Sequence, residues 1–530
     1  MTADRPFFLT TPIYYVNDLP HLGHAYTMVA CDVLARFQRL DGRRVKFLTG
    51  TDEHGQKVEK SAQAASLSPQ AFADKISAAF RDSARLLNIS HDDFIRTTEP
   101  RHVRAVQAMW QELERRGEIY LGRFVGWYSV RDEAFYDERE LVGGLAPTGA
   151  EVEWVEEENY FFRLSAWQDR LLEFYETNPE AIAPRSRRNE VISFVKGGLN
   201  DLSISRTSFA WGIPVPGNPR HVIYVWLDAL INYLTSVGYP ETKTREFSDF
   251  WPASLHMVGK DILRFHTVYW HAFLMAAGIA PPRRVFAHGW WTVEGQKMSK
   301  SLGNFIPPHE LVATYGLDPL RYFLMRELPF GSDGDFSHRA MIGRLNGDLA
   351  NDFGNLAQRV LAMIERNCAS VLPEPGAFTA ADEELLAEAR SLLGRVRPSL
   401  LDEAFHVALE TIWRLVAEAN RYVDSEAPWV LRRTDPARMR TVLYVLAETL
   451  RHLGILMQPF VPDAAAALLD QLAVPPGARR FADLAEALPP GRPVPPPHGI
   501  FPRFVEAVPG APPAATPGAK PADPGAAART

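Results

Sequence analysis

The sequence predicts an α/β protein: a parallel sheet split by an inserted β-rich module, followed by an α-helical bundle and a Pro/Ala-rich tail. Three observations carry this reading. Near the N-terminus, strand, helix and strand patterns follow one another at βαβ spacing. A stretch of short aromatic segments with glycine pairs then separates that unit from a second run of strand and helix patterns. From Ala340 onward the apolar period is helical almost throughout.

The segment Pro6 to Tyr15 is β-branched and aromatic and reads as a buried strand, broken by Asn17, Asp18 and Pro20. His21-Leu22-Gly23-His24 leads into a helix over Ala25 to Leu40, which Asp41-Gly42 ends. Val45 to Leu48 is a second strand, running into Thr49-Gly50-Thr51-Asp52-Glu53-His54-Gly55. Leu121 to Trp154 is the inserted module, with Gly143-Gly144 and the turn Pro147-Thr148-Gly149. Strand and helix patterns resume at Tyr224 to Leu227, at His256 to Val258 and at Ile262 to Ala277. Phe405, Ala408, Leu409, Ile412, Trp413, Val416 and Ala419 trace one face of a long helix, and Val442 to Leu456 forms another. After about Leu488 the chain turns to Pro, Ala and Gly, and residues 488–530 are expected to be disordered. The expected units are 1–115 and 223–339 for the two halves of the sheet domain, 116–222 for the insertion and 340–487 for the bundle.

At 530 residues, the chain is long enough for about three or four domains. Its formal net charge of -7 gives no global basic field, so a nucleic-acid surface has to be local. Arg185, Arg187 and Arg188 form one candidate patch and Arg432, Arg433, Arg438 and Arg440 another, though by composition alone each reads more readily as a solvated face. Two cysteines, Cys31 and Cys368, exclude a disulfide framework and a Cys-rich zinc site. The first residues lack a signal-peptide pattern, and no stretch reaches about 18 uninterrupted apolar residues. A cytoplasmic protein without a membrane span is expected, and Asn88-Ile89-Ser90 is a chance sequon.

Two motifs carry the chemistry. His21-Leu22-Gly23-His24 stands at a strand-to-helix turn, where free backbone N–H groups and the helix dipole suit phosphate. Gly23 permits close approach, and two imidazoles donate hydrogen bonds as charge develops. Lys297-Met298-Ser299-Lys300-Ser301 places two lysines in a polar loop after Gly289 and Gly295, suited to clamp a triphosphate. Alone, the first is an incidental pair of histidines and the second a charged surface loop. No GxGxxG or Walker-A pattern competes for a nucleotide.

Together the motifs resemble the HIGH and KMSKS signatures of class I aminoacyl-tRNA synthetases, the second identically and the first with Leu22 for Ile. That family combines a Rossmann-like sheet, a connective insertion and a helical anticodon-binding domain. The resemblance narrows to methionyl-tRNA synthetases and runs from about Phe7 to about Pro462. It rests on Thr11 to Asn17, Glu158 to Phe162, Leu202 to Arg206, Tyr224 to Ala229 and Gly259 to Ile262 with Phe265-His266. It implies a methionine pocket lined by Ile13, Tyr15, Trp226, Ala229, Tyr233, Ile262, His266 and Trp270. Trp226, Ala229 and Tyr233 share helical spacing, as do Ile262, His266 and Trp270. Such stripes are commonly plain core, but a histidine in an apolar stripe favours a pocket, and aromatic rings suit a thioether.

The resemblance further implies that Asp52 holds the substrate ammonium, although Asp52 reads alternatively as a turn cap. Asp261 would accept from the ATP ribose, and Arg206 would lie near the site, against Asp261 or a phosphate. ATP with Mg2+ would meet His21, Gly23, His24, Lys297, Ser299 and Lys300, the charged and imidazole groups acting as catalytic residues. Asn355, Arg359, Pro428 and Trp429 match anticodon readers, which stack on and hydrogen-bond to single-stranded bases, although a tryptophan beside a turn is also a common core residue. Insertion 116–222 is too short for the editing domain of the isoleucine, valine and leucine enzymes. Many relatives bind zinc through Cys knuckles in this module. Here Trp127 to Val130 and Val142 to Leu145 contain no cysteine, so no structural zinc is expected. Packing among Phe124, Trp127, Tyr128, Phe135 and Tyr136 would replace it. The implied reaction charges tRNA(Met), initiator included, with L-methionine, by a monomer. The rivals are a related synthetase for another amino acid and an inactive tRNA-binding paralogue.

Overall fold

The computed structural model describes residues 6–132, 134–136, 138–297 and 305–505. Its centre is a seven-stranded parallel sheet. Phe7–Thr10 pairs on one side with Val45–Asp52 and on the other with Leu255–Gly259. Tyr14–Tyr15 and Asp93–Arg96 add to Val45–Asp52, and Val285–His288 adds to Leu255–Gly259. Phe7–Thr10 is therefore the switch point, flanked by one strand from each half of the domain. In open α/β sheets a crevice forms there, outside the carboxyl ends of the strands. Apolar runs such as Phe8-Leu9 and Phe47-Leu48 are fully buried because helices cover both faces.

The last strand of the sheet, Ile182–Ala183, pairs parallel with Val285–His288. It falls inside the window 116–222 expected to be insertion. The chain thus returns to the central sheet midway, for two residues, too short a run to register as a strand pattern. The insertion proper is a four-stranded antiparallel sheet, ordered Ala134–Tyr136, Ile119–Ser129, Glu153–Phe162, Leu202–Ser203. Its long pair carries Trp127 edge-on to Trp154 at 5.1 Å and Tyr120 stacked on Phe161 at 5.5 Å. Tyr128 lies under the Arg206 guanidinium. Trp127 thus packs on Trp154 and Tyr128 under Arg206, partners outside the expected group of Phe124, Trp127, Tyr128, Phe135 and Tyr136.

The helical half contains Asn355–Asn367, Ala380–Leu401, Phe405–Glu426, Pro428–Thr434, Pro436–Met457 and Pro462–Gln471. Both long helices read from periodicity are present. In Pro436–Met457 every residue from Thr441 to Met457 is buried, so this helix is the bundle's axis.

The tail departs from expectation. Residues 488–505 lie along the bundle, with Leu488, Val494 and Phe501 buried. Leu372 N–H donates to Arg492 O at 2.9 Å, Val494 N–H to Ser370 O at 2.8 Å, and Tyr444 OH to Leu488 O at 2.8 Å. A Pro-rich composition hid these apolar anchors, which dock an extended strap needing few hydrogen bonds of its own. The remainder of the tail expected to be disordered, 506–530, lies outside the described residues.

A buried arginine joins the two halves. Arg321 donates to Asp32 Oδ2 at 2.6 Å, Leu87 O at 3.0 Å, Pro459 O at 2.9 Å and Phe460 O at 3.1 Å. Asp32 stands on the helix Leu22–Leu40 and Pro459-Phe460 follow the bundle axis. Burial pushes the Asp32 carboxyl up, but Arg321, Arg36 and Ser90 together hold it below its ordinary value.

Candidate active site

A cavity of about 760 Å³ opens at the carboxyl ends of the central strands. Asp52, Gly259 and His288, each the last residue of a strand, line it. The side chains sort into a phosphate-suited end, an aromatic end and a ribose-suited edge.

The helix begins at Leu22, three residues earlier than its apolar pattern suggested, so the His21 motif is its first turn. His21 is the N-cap, with extended backbone (φ -132, ψ 178). Its Nδ1 accepts from Gly23 N–H at 3.0 Å, and its own N–H donates to His24 Nδ1 at 3.1 Å. Both Nδ1 atoms are acceptors, so each neutral ring carries its proton on Nε2. Burial drives the His21 pKa down to about 4 against the opposing pull of Asp18 and Asp261. Burial, then the neighbouring His21, puts His24 well below its ordinary value. A Cβ on Gly23 would sit 2.9 Å from the His21 ring, so only glycine permits this cap.

Lys297 ends the short hairpin Trp291–Val293 and Gln296–Lys297, which turns at Glu294 and Gly295, both with positive φ. Ser299 and Lys300 lie outside the described residues. The chain re-enters at Phe305, whose ring meets His21 edge-on at 5.7 Å. The chain therefore returns beside the imidazole pair.

At the aromatic end, Ile13, Tyr15, Asp52, Trp226, Ala229, Tyr233, Ile262 and His266 all line the cavity. Tyr233 OH donates to His266 Nε2 at 2.7 Å, and His266 Nδ1–H donates to Ile262 O at 2.9 Å. Burial lowers the His266 pKa to about 4. Both ring nitrogens are used within the protein, so His266 orients Tyr233. Phe265 lies flat on Trp226, 3.8 Å between centroids at 4°.

Two expectations fail. Trp270 does not reach the cavity: it is fully buried behind Tyr233, donating to His256 at 3.3 Å. The stretch Phe265–Tyr269 is a π-helix, which widens the turn and carries residue 270 off the face of Ile262 and His266. Arg206 is buried under the insertion, donating to Ser203 O and Ser205 O at 3.2 and 2.7 Å and lying over Tyr224. It is not among the residues that line the cavity. Asp261 itself is exposed on the rim, where Trp290 Nε1–H donates to its Oδ1 at 3.0 Å.

Sequence reasoning missed Phe265, Lys57 and Trp290, which also line the cavity. Their signals were present: Phe265 beside His266, Lys57 next to Gly55-Gln56 at a helix start, and Trp290 in His288-Gly289-Trp290 before the lysine loop. Arg131, Asp132, Tyr136 and Thr148 reach the cavity from the insertion. Asp132 gathers them, accepting from Tyr136 OH at 3.0 Å and from Thr148. Among the described residues, no group of three or more His, Cys, Asp or Glu side chains is arranged to hold a metal.

Outside the cavity lining, Asn355 and Arg359 stand one turn apart on the helix Asn355–Asn367. Arg359 lies over the Trp429 ring at 5.3 Å and pairs with Asp424 at 2.8 Å. Trp429 is 42% exposed, whereas Pro428 is buried as the first residue of its helix. Pro428 is thus kept off the exposed surface. Arg438, counted in a basic patch, is consumed by Asp382 and Glu426.

Comparison with known proteins agrees with this arrangement. The profile described as tRNA synthetases class I (M) matches residues 7–152 and 146–361, and the anticodon binding domain of methionyl tRNA ligase matches 372–508. A methionine–tRNA ligase of Brucella suis is 57% identical over 507 residues, 94% of this chain and 98% of the relative. One from Mycobacterium leprae is 52% identical over 511 residues, 94% of this chain and 95% of the relative. The crystal structure of Mycobacterium tuberculosis methionyl-tRNA synthetase in complex with methionyl-adenylate superposes with a TM-score of 0.92, at 52% identity over 94% of this chain and all of that one. With its cavity at the sheet's switch point, its imidazole pair at a helix N-terminus and its anticodon-type bundle, the chain belongs to the class I methionyl-tRNA synthetases.

Proposed function

We propose that the chain activates L-methionine with ATP, as its magnesium complex, and transfers the methionyl group to the 3′ end of tRNA(Met), initiator and elongator alike. The observation that carries this reading is one cavity with two unlike ends: paired neutral imidazoles at a helix N-terminus and a Trp226–Tyr233 aromatic box beside Asp52. The first suits a triphosphate and the second a thioether amino acid.

The methionine carboxylate attacks the α-phosphorus, and pyrophosphate leaves. No protein nucleophile takes part, so positioning and charge stabilisation supply the rate. His21 and His24 offer Nε2–H donors that stay neutral at working pH, and so do not bind pyrophosphate as permanent cations. Lys297 and Lys300 supply positive charge for the triphosphate, with Ser299 between them. Asp52 takes the substrate ammonium. Asp261, its Oδ1 occupied by Trp290, keeps a second oxygen for a ribose hydroxyl. Ile13, Tyr15, Trp226, Ala229, Tyr233 and Ile262 enclose the side chain, with His266 fixing the Tyr233 hydroxyl.

In the second step a terminal ribose hydroxyl of tRNA attacks the carbonyl of methionyl-adenylate, forming the ester as the bond to the phosphate oxygen breaks and AMP leaves with the hydroxyl proton released. Asn355, Arg359 and Trp429 read the anticodon. We further propose a cytoplasmic monomer.

Methionine-dependent ATP–pyrophosphate exchange tests the reading. Exchange is expected with methionine and not with isoleucine, valine, leucine or cysteine. Exchange driven by one of these, or none at all, defeats it.

A further inference from the structure

The segment Asp52-Glu53-His54 ends a central strand, and its three side chains go three ways. Asp52 faces the cavity. Glu53, fully buried, is held by Arg96 through Nε to Oε1 at 2.6 Å and Nη2 to Oε2 at 3.0 Å. The hydroxyls of Thr51 and Thr98 also donate to it, at 2.7 and 2.6 Å. His54 points away from Glu53 and donates from Nδ1 to Asp228 Oδ2 at 2.7 Å. The other oxygen of Asp228 accepts from His102 Nε2 at 2.7 Å, and His102 Nδ1 meets Thr235 Oγ1 at 3.1 Å.

Asp228 is completely buried. Burial pushes its carboxyl up, but the charge of His54 and the hydrogen bonds from His102 and His54 bring it below the ordinary value. A desolvated carboxylate between two imidazoles is an expensive way to fill core space. What distinguishes this one is what it connects. Asp228 stands on the helix Val225–Leu230, which carries Trp226 and Ala229 into the cavity. His54 is two residues from Asp52, and its carbonyl accepts from Tyr15 OH at 3.0 Å. One hydrogen bond, His54 to Asp228, thus ties the segment of Asp52 and Tyr15 to the helix of Trp226 and Ala229.

We propose that Asp228 is a positioning residue for methionine recognition: through His54 it sets the Asp52 carboxylate at its distance from the Trp226 wall. Without that tie, Glu53 and Arg96 still hold one flank of Asp52, and Trp211 still bonds the backbone at Glu53 O and Gly55 N–H, at 2.6 and 3.0 Å, but His54 no longer joins this segment to the helix of Trp226. Ammonium and side chain then no longer register with their partners at once. The inference rests on the reading of Asp52 as the ammonium anchor.

The test is steady-state pyrophosphate exchange with methionine and ATP varied separately, on Asp52→Asn, His54→Ala, His54→Asn and Asp228→Asn. His54→Asn retains an N–H where Nδ1 stood, so it separates the hydrogen bond from the ring. His54→Ala is expected to raise KM for methionine by about tenfold or more while KM for ATP stays within about twofold. His54→Asn is expected to restore most of the loss, and Asp228→Asn to follow His54→Ala. Should Asp228→Asn not fold, the His54 pair decides alone. The proposal is overturned if His54→Ala leaves KM for methionine unchanged while Asp52→Asn raises it, if both KM values rise together, or if His54→Asn is no better than His54→Ala. If Asp52→Asn itself leaves KM for methionine unchanged, the anchor reading fails first, and the proposal with it.

Discussion

The backbone N–H of His21 donates to the Nδ1 of His24, at 3.1 Å. This bond fixes the His24 proton on Nε2, and the reciprocal bond from Gly23 does the same for His21. Cap and donor are two ends of one ring, and substitutions can separate them. His24→Asn keeps an acceptor near Nδ1 and discards the far donor. His24→Gln keeps a donor near Nε2. We expect His24→Asn to melt close to the parent yet lose about 10²- to 10³-fold in pyrophosphate exchange, with His24→Gln retaining clearly more. Equal losses in both would mean the far donor is unused.

The same geometry sets a pH dependence. His21 and His266 have pKa values of about 4. The exchange rate should show no histidine limb near pH 6.5 and should stay level from pH 8 to about 6. Stability follows with a definite sign. The unfolded chain takes protons on these rings near pH 6.5 and the folded one only near 4. Between those values the unfolded state binds more protons, so stability falls as pH falls through that window. Urea midpoints measured from pH 7 to 5 on a Glu403→Gln background, which removes the opposing carboxyl, check it; a midpoint rising on acidification contradicts it.

Glu403 provides the opposite slope. It is buried beside Arg284, 3.3 Å away, and burial raises its pKa to about 8. The folded state keeps this proton to about pH 8, whereas the unfolded chain releases it near 4.5. Its contribution is therefore fully present below pH 4.5 and is lost as pH rises to 8. Glu403→Gln should be more stable than the parent at pH 8, by about 1 kcal/mol or more, with the two converging near pH 5. Calorimetry at the two pH values measures this; a gap that grows on acidification would refute it.

Arg359 packs on the exposed ring of Trp429. If that ring stacks on a base, Trp429→Ala should raise KM for tRNA by about tenfold to a hundredfold, a loss of about 1–3 kcal/mol. Exchange without tRNA should be unaffected. Aminoacylation at varied tRNA concentration decides; an unchanged KM removes Trp429 from the interface.

The split between what was legible and what was not follows the range of the forces. Strand, helix and bundle patterns were legible because burial imposes a period on local sequence, as in Phe405 to Ala419. The two signatures were legible because catalysis demands particular atoms at short spacing, and the mutual capping of His21 and His24 is itself a local event. Trp270 was misread because a π-turn, set by packing, breaks the helical register that spacing assumes. Arg206 was misplaced, and residues 488–505 were misjudged, because each is held by partners remote in sequence. By itself, then, the sequence determined the class of chemistry and the order of the elements. Only the tertiary structure decided which side chains share the cavity, and which, like Asp228 and Arg321, are buried among partners remote in sequence. Burial strips water from such groups, so their partners can be identified only once the chain has folded.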